Sequence, residues 1–238
     1  MRKGFSIKEV KQHGVLVFMP LAYSALIVPF SQYFLEMTGI FSEQTASTVQ
    51  IFSMLIALVV AAIFQNIIMR DGNKKLWGYF VCSTPAGHKG YLLTKYSFVL
   101  ACALFNLIGS VTACTVYAAL TGKAGANSFA FTCKLGFVLF VVQLILRAID
   151  IPLTVRFGEK KGSMIKLISL MVLIILYVVL IIIKPETSTL LAKLTKSLIS
   201  SAGKAWFVPL LVTTGAAVYG LSYFLTCKLF IKGIENAD

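Results

Sequence analysis

Long runs of apolar residues alternate with short polar segments along the whole chain. Because a helix needs about 20 apolar residues to cross a bilayer, each long uncharged run predicts one membrane span. The predicted spans cover residues 15–35, 46–69, 97–121, 129–153, 167–183 and 206–230. Since the connections between them are short, we expect an all-α integral membrane protein with six transmembrane helices in a single domain, 1–238.

The composition agrees with this pattern. Of the 238 residues, 58% are hydrophobic and 13% are charged, whereas soluble domains carry about 25% charged residues. Six spans use most of the length, so we expect no additional soluble domain and no catalytic domain within this chain.

The net charge of +13 does not indicate nucleic-acid binding, because most Lys and Arg residues lie between the apolar runs. Their positions instead indicate the orientation of the spans in the membrane. They concentrate in the N-terminal tail, in the loops 70–96 and 154–166, and in the C-terminal tail. The positive-inside rule therefore predicts that these segments, with both termini, are cytoplasmic.

The last outer loop is an exception, since four lysines lie in or beside it: Lys184, Lys193, Lys196 and Lys204. Residues 187–201 place leucines on one side of a helical wheel and polar residues on the other, which predicts an amphipathic helix at the outer surface. Such a helix either caps spans five and six or acts as a moving outer gate or substrate-contacting surface.

Several kinds of chemistry are missing from the sequence. Gly122-Lys123 and Gly203-Lys204 are each followed by Ala, so no phosphate-binding loop is present. No H-E-x-x-H pattern, C-x-x-C pattern or pair of carboxylates within a span occurs. We expect no catalytic residue, no metal site, no cofactor and no ATP hydrolysis by this chain alone.

Arg147 and Asp150 form the charged pair closest to membrane depth, three residues apart on one face of the fourth span. Ionisable groups within a span are energetically costly and usually face protein or water. The pair is either a coupling or gating element or a local ion pair near the cytoplasmic interface.

The loop 70–96 carries Leu76, Trp77 and Phe80 at helical spacing, after Asn73 as a possible N-cap and before Pro85 as a stop. This spacing predicts a short helix. Its apolar stripe either lies on lipid or docks into a groove on a cytosolic protein.

The loop 154–166 follows Pro152, which breaks or bends the fourth span. Gly158 and Gly162 permit turns around a charged tip.

Two motifs in these loops resemble those of type-2 ABC transporter permeases. They are Thr84-Pro85-x-x-His88-Lys89 followed by Lys95-Tyr96, and Pro152-Leu153-x-x-Arg156-Phe157-Gly158-x-Lys160-x-Gly162. This chain has Thr84 where the family more often has Leu, and Gly87-His88 near the usual Ser-Arg. Within the family the chain is most similar to the membrane subunits of bacterial exporters of phenol-soluble modulins, which are amphipathic peptide toxins.

The resemblance implies a multi-pass permease in a bacterial plasma membrane that is not itself an enzyme. Two permease chains, identical or closely related, would associate with two copies of a cytosolic ATPase subunit that binds ATP and magnesium. The loop helix would be the coupling helix, and residues 1–14 would be an interfacial elbow helix.

The residues that the resemblance assigns to ATPase coupling fall in both loops. They are Lys74, Lys75, Leu76, Trp77, Phe80, Pro85, His88 and Lys89 in the first loop, and Arg156, Gly158, Glu159, Lys160 and Lys161 in the second.

The resemblance also implies a translocation path between the two permease chains, lined by spans one, two and five. These spans offer polar groups but almost no fixed charge. The candidate path residues are Tyr23, Ser24, Gln32, Gln65 and Asn66. Such a path suits a hydrophobic or amphipathic peptide better than an ion or a sugar. Alternatively, these side chains serve helix packing.

Other classes of membrane protein remain as alternatives. One is an ATPase-independent carrier or the substrate-binding subunit of a vitamin importer, although a carrier normally needs coupling carboxylates or broken helices at the midplane. Another is an immunity protein that sequesters a peptide toxin in the membrane. That protein would not need a coupling helix.

Overall fold

The computed structural model describes residues 3–37, 46–70, 75–122, 126–183 and 206–235. The helices in these ranges are α1 (Lys3–Met37), α2 (Ala46–Arg70), α3 (Lys75–Ser83), α4 (Gly87–Leu120), α5 (Ala126–Ile183) and α6 (Phe207–Glu235). The all-α prediction is confirmed for this part of the chain.

Five of the described helices contain a stretch long and apolar enough to cross a bilayer. These stretches are Val10–Phe34, Val49–Met69, Gly87–Leu120, Phe129–Gly158 and Phe207–Lys232. They correspond to predicted spans one to four and six. The backbone of residues 167–183 is helical as the end of α5, but its role as a fifth span stays a prediction, and the predicted outer helix 187–201 lies outside the described residues.

Helix α4 is the centre of the bundle, since it contacts each of the other five described helices. Its buried side chains Tyr96, Val99 and Cys102 belong to the largest apolar cluster, which also includes Ile68 of α2 and Leu144 of α5. The largest cluster therefore joins α1, α2, α5 and α6 around α4, and α3 packs on a separate cluster with α4 and α6.

Gly109 allows α1 and α4 to approach closely. A Cβ atom built on Gly109 would collide with the Ser24 hydroxyl and lie 3.0 Å from the Leu21 carbonyl oxygen. Small residues commonly permit such close packing of membrane helices.

Helix α4 begins at Gly87 rather than near residue 97, where the uncharged run begins. The prediction stopped at Lys95 because a charged residue is usually excluded from a span. In the structure Lys95 is buried, and its Nζ donates a hydrogen bond of 2.6 Å to the carbonyl oxygen of Ile68.

Helix α5 is interrupted at Gly158, whose φ of 78° lies in the left-handed region that favours glycine. Lys166 Nζ lies 2.8 Å from Asp150 Oδ1, and residues 150 and 166 are equally far from Gly158 along the chain. The chain therefore reverses direction at Gly158, and the helical segments on its two sides run antiparallel.

This hairpin corrects two details of the predicted loop 154–166. Pro152 lies inside the helix and does not break it, so of the two predicted effects only bending stays a prediction. Gly162 is a packing residue rather than a turn residue, because a Cβ atom there would lie 3.1 Å from the carbonyl oxygen of Leu153.

The N-terminal segment is continuous with the first span. From Lys3 onward it forms the first turns of α1, and its position at the membrane interface stays a prediction. Buried His13 and Val17 continue the packed face of α1 toward its start, and no proline precedes Pro20 to break the helix.

Candidate functional site

Helix α3 has one face packed on the bundle and one face open. Val81 is fully buried in a cluster with Tyr91 and Leu92 of α4 and Phe230 of α6. On the open face, Tyr79 and Phe80 are each 54% exposed. We refer to Tyr79 and Phe80 together as the α3 surface.

Trp77 lies between these two faces. Its ring meets Tyr91 edge-on at a centroid distance of 6.2 Å and lies 5.2 Å from the ring of Phe80. Lys8 of α1 places its Nζ 3.5 Å from the centroid of the Trp77 ring, which is a cation–π contact. Trp77 therefore anchors α3 more than it extends the exposed stripe that the sequence predicted.

Three of the predicted coupling residues at the start of α3 have side chains that the structure does not describe. The side chains of Lys75 and Leu76, and all of Lys74, lie outside the described residues. Sequence reasoning missed Tyr79, although its position next to Phe80 on a short helix was a signal, and it missed Lys8, for which the local sequence gives no signal.

The residues after α3 continue the site at the same end of the bundle. The helix ends at Ser83, two residues before Pro85. His88 stacks on Phe230 with the two rings 5.7 Å apart, and the Tyr223 hydroxyl donates to the backbone carbonyl of Lys89 over 3.2 Å. Pro85 and the side chain of Lys89 are exposed beside α3.

The structure brings the second predicted loop next to the first. Val155, just before the Gly158 turn, packs against the same cluster as Trp77. Arg156 and Lys161 are exposed at this turn, whereas the side chains of Glu159 and Lys160 lie outside the described residues. The α3 surface and the Gly158 turn therefore lie at one end of the molecule.

Arg147 is the centre of a buried polar network. Its Nε donates a hydrogen bond of 2.6 Å to Gln65 Oε1, and its two Nη atoms donate to Asn66 Oδ1 and to the carbonyl oxygen of Ala62. Asp150 Oδ2 lies 3.4 Å from the guanidinium. The main partners of Arg147 are thus on α2, so the local ion pair considered from the sequence is only one part of the arrangement.

Gln65 extends this network to a third helix. It is fully buried, and its Nε2 donates to the carbonyl oxygen of Val99 over 3.1 Å. Arg147 and Gln65 therefore join α2, α4 and α5 through hydrogen bonds that are strengthened by charge and by the apolar surroundings.

The five candidate path residues divide into two groups. Ser24, Gln32 and Gln65 are buried within the subunit, and Gln32 donates to Ser53 Oγ and Cys114 Sγ. These three have the positions of packing residues. Tyr23, whose ring lies 5.2 Å from that of Phe64, and Asn66 are exposed.

Lys95 and Tyr96 connect α4 to its neighbours. The sequence indicated these two residues only as part of the first loop motif. Lys95 binds the Ile68 carbonyl near the C-terminal end of α2, where helices carry unpaired carbonyls and a negative dipole end. The Tyr96 hydroxyl lies 2.9 Å from Ser222 Oγ and 2.7 Å from Thr226 Oγ1, both on α6.

These features define a multi-pass α-helical membrane protein with a short docked helix at one end of its bundle. A family model described as "ABC-2 family transporter protein" matches residues 13–231. The chain belongs to this family, which confirms the resemblance to type-2 ABC transporter permeases. No curated protein and no solved structure gave a match.

Proposed function

We propose that this chain is the permease subunit of an ATP-driven exporter of hydrophobic or amphipathic peptides. It works with a second permease chain and with two copies of a cytosolic ATPase. Membership of the ABC-2 transporter family supports the permease role, the membrane setting and the need for an ATPase partner.

The observation that carries this proposal is the two-faced packing of α3. An exposed aromatic pair on a short helix presents anchors of the kind that protein grooves bind. The opposite face of the same helix is fixed by Val81 to α4 and α6. A partner that moves the α3 surface therefore moves the helix bundle with it.

The charge around the α3 surface supports an acidic partner surface. Lys89 in the first loop, and Arg156 and Lys161 near the Gly158 turn, are exposed at this end. Complementary charges at an interface increase the association rate and fix the orientation of the partners.

Force applied to α3 reaches the spans through buried contacts. Val81 touches Tyr91 and Leu92 of α4, and α4 in turn contacts every other described helix. Lys95 and the Arg147 network connect α4 to the end of α2. The helices thus respond to the ATPase as connected elements.

The cargo assignment rests on the chemistry of α1 and α2. Their exposed side chains within the spans are almost all apolar or aromatic, with Tyr23 and Asn66 among the few polar ones. Such surfaces bind an amphipathic peptide more readily than a charged or strongly hydrated solute.

The test is ATP hydrolysis by the permease reconstituted with its ATPase in lipid nanodiscs. We expect an amphipathic helical peptide to raise the hydrolysis rate several-fold, and a scrambled peptide of equal composition without amphipathic character to leave it unchanged. Equal stimulation by both peptides would contradict the cargo assignment. Failure of the chain to bind any ATPase would contradict the permease role.

A further inference from the structure

We propose that the protein binds one buried water molecule between α2, α4 and α5. A small cavity there is lined by Met54 of α2, by Asn106 and Ser110 of α4, and by Gly136 and Gln143 of α5. The volume open to the centre of a water molecule is about 10 Å³, which is at the lower limit of what a cavity needs to hold one water molecule.

Three polar side chains converge on this cavity from within the membrane-spanning segments. Asn106 is 7% exposed, Ser110 is 5% exposed and Gln143 is 2% exposed. Asn106 Nδ2 lies 3.5 Å from Gln143 Oε1, which is a weak contact at the limit of hydrogen bonding.

The remaining polar atoms of these side chains have no partner among the described residues. They are Asn106 Oδ1, Ser110 Oγ and Gln143 Nε2. Buried polar atoms are nearly always hydrogen-bonded to protein or to ordered water, because an unpaired one has lost its hydrogen bonds to solvent without replacement.

One water molecule satisfies all three atoms. It accepts a hydrogen bond from the Gln143 amide and donates its two hydrogens to Asn106 Oδ1 and Ser110 Oγ. Three hydrogen bonds are typical of a buried water. A cation would be repelled by the N–H groups of the Gln143 amide, and an anion would be repelled by the Asn106 oxygen. A neutral ligand that both donates and accepts hydrogen bonds therefore fits best.

The water continues the polar contacts of the bundle core. Gln143 lies one helical turn before Arg147 on α5, and Asn106 lies on α4, which receives the hydrogen bond of Gln65. The water therefore joins α4 to α5 beside the point where the Arg147 network joins α2, α4 and α5.

The first test is electron cryo-microscopy of the intact protein in nanodiscs, at a resolution that shows ordered water. We expect a density peak within hydrogen-bonding distance of Asn106 Oδ1, Ser110 Oγ and Gln143 Nε2. A cavity without such a peak would overturn the proposal.

The second test uses the sign of a stability change. If water is bound, Ser110→Ala removes one of its hydrogen bonds and lowers the Tm by a few degrees. If the hydroxyl is unpaired, its removal relieves a desolvation penalty, so a raised or unchanged Tm would overturn the proposal. Thr112→Ala is the matched control, because the exposed Thr112 hydroxyl bonds only to its own helix and its loss is expected to leave the Tm unchanged.

Discussion

Arg147 Nε and Gln65 Oε1 are joined by a hydrogen bond of 2.6 Å between α5 and α2, and both residues are buried. This bond places a charged donor and a neutral acceptor in the core of a membrane protein, where neither finds bulk water. Loss of either partner leaves the other side chain buried without its hydrogen-bond partner.

We therefore predict that Gln65→Leu and Arg147→Leu are strongly coupled. Gln65→Leu should lower stability by about 1.5–3 kcal/mol, because it removes a hydrogen bond to a charged group. The double variant should be less destabilised than the sum of the two single variants. Thermal unfolding in detergent measures all three, and additive effects would contradict the assigned pairing.

The left-handed backbone at Gly158 gives a second prediction. Gly158→Ala should lower stability by about 1–3 kcal/mol, because a φ of 78° with a ψ of 169° is a backbone conformation that essentially only glycine adopts. Gly220→Ala is the control, since Gly220 lies inside α6 with open space around its Cβ position. That change should be neutral or stabilising by about 0.5–1 kcal/mol. Equal Tm values for the two variants would show that the Gly158 turn accepts an alanine without strain, which would contradict this prediction.

Lys95 and Lys89 lie on the same helix but should behave differently. Lys95→Met removes the buried hydrogen bond to the Ile68 carbonyl and should lower the Tm, because that carbonyl is left without its charged donor. Lys89→Met changes an exposed side chain and should leave the Tm unchanged while weakening ATPase binding. The opposite pattern, with Lys89→Met the less stable variant, would be inconsistent with the packing of α4.

Hydropathy was sufficient to predict the positions of the five spans that the structure supports, because a bilayer span is defined by local composition. The helical spacing of Leu76, Trp77 and Phe80 predicted the short helix before Pro85. The beginning of α4 was misplaced because Lys95 interrupts the apolar run, and the carbonyl oxygen that accepts its hydrogen bond belongs to Ile68, 27 positions earlier.

The buried network was less accessible to sequence reasoning. Arg147 and Asp150 were recognised as a pair because they are three residues apart, but Gln65 lies 82 positions from Arg147. Gln65 therefore looked like any other polar residue in a span. All sides of these helices are largely apolar, so the periodicity of the sequence does not show which side faces protein and which faces lipid. That choice depends on the packing of the helices.

The central claim is that the α3 surface binds a cytosolic ATPase. Phe80→Ala and Tyr79→Ala remove exposed rings, and neither residue belongs to the buried cluster beneath α3. Trp77→Ala should also uncouple ATP hydrolysis from transport, but it additionally removes packing and should lower the Tm. The Phe80 and Tyr79 variants therefore test docking more directly.

The most direct measurement is co-purification of a Walker A-containing ATPase with the tagged chain, comparing wild type, the Phe80→Ala and Tyr79→Ala double variant, and Phe129→Ala. Phe129 is 57% exposed at the opposite end of the bundle and serves as the matched control. We predict equal amounts of ATPase and permease for wild type and Phe129→Ala, and at least a tenfold loss of ATPase for the double variant at unchanged Tm. Wild-type amounts of ATPase on the double variant, or purification of the wild-type chain alone, would contradict the account.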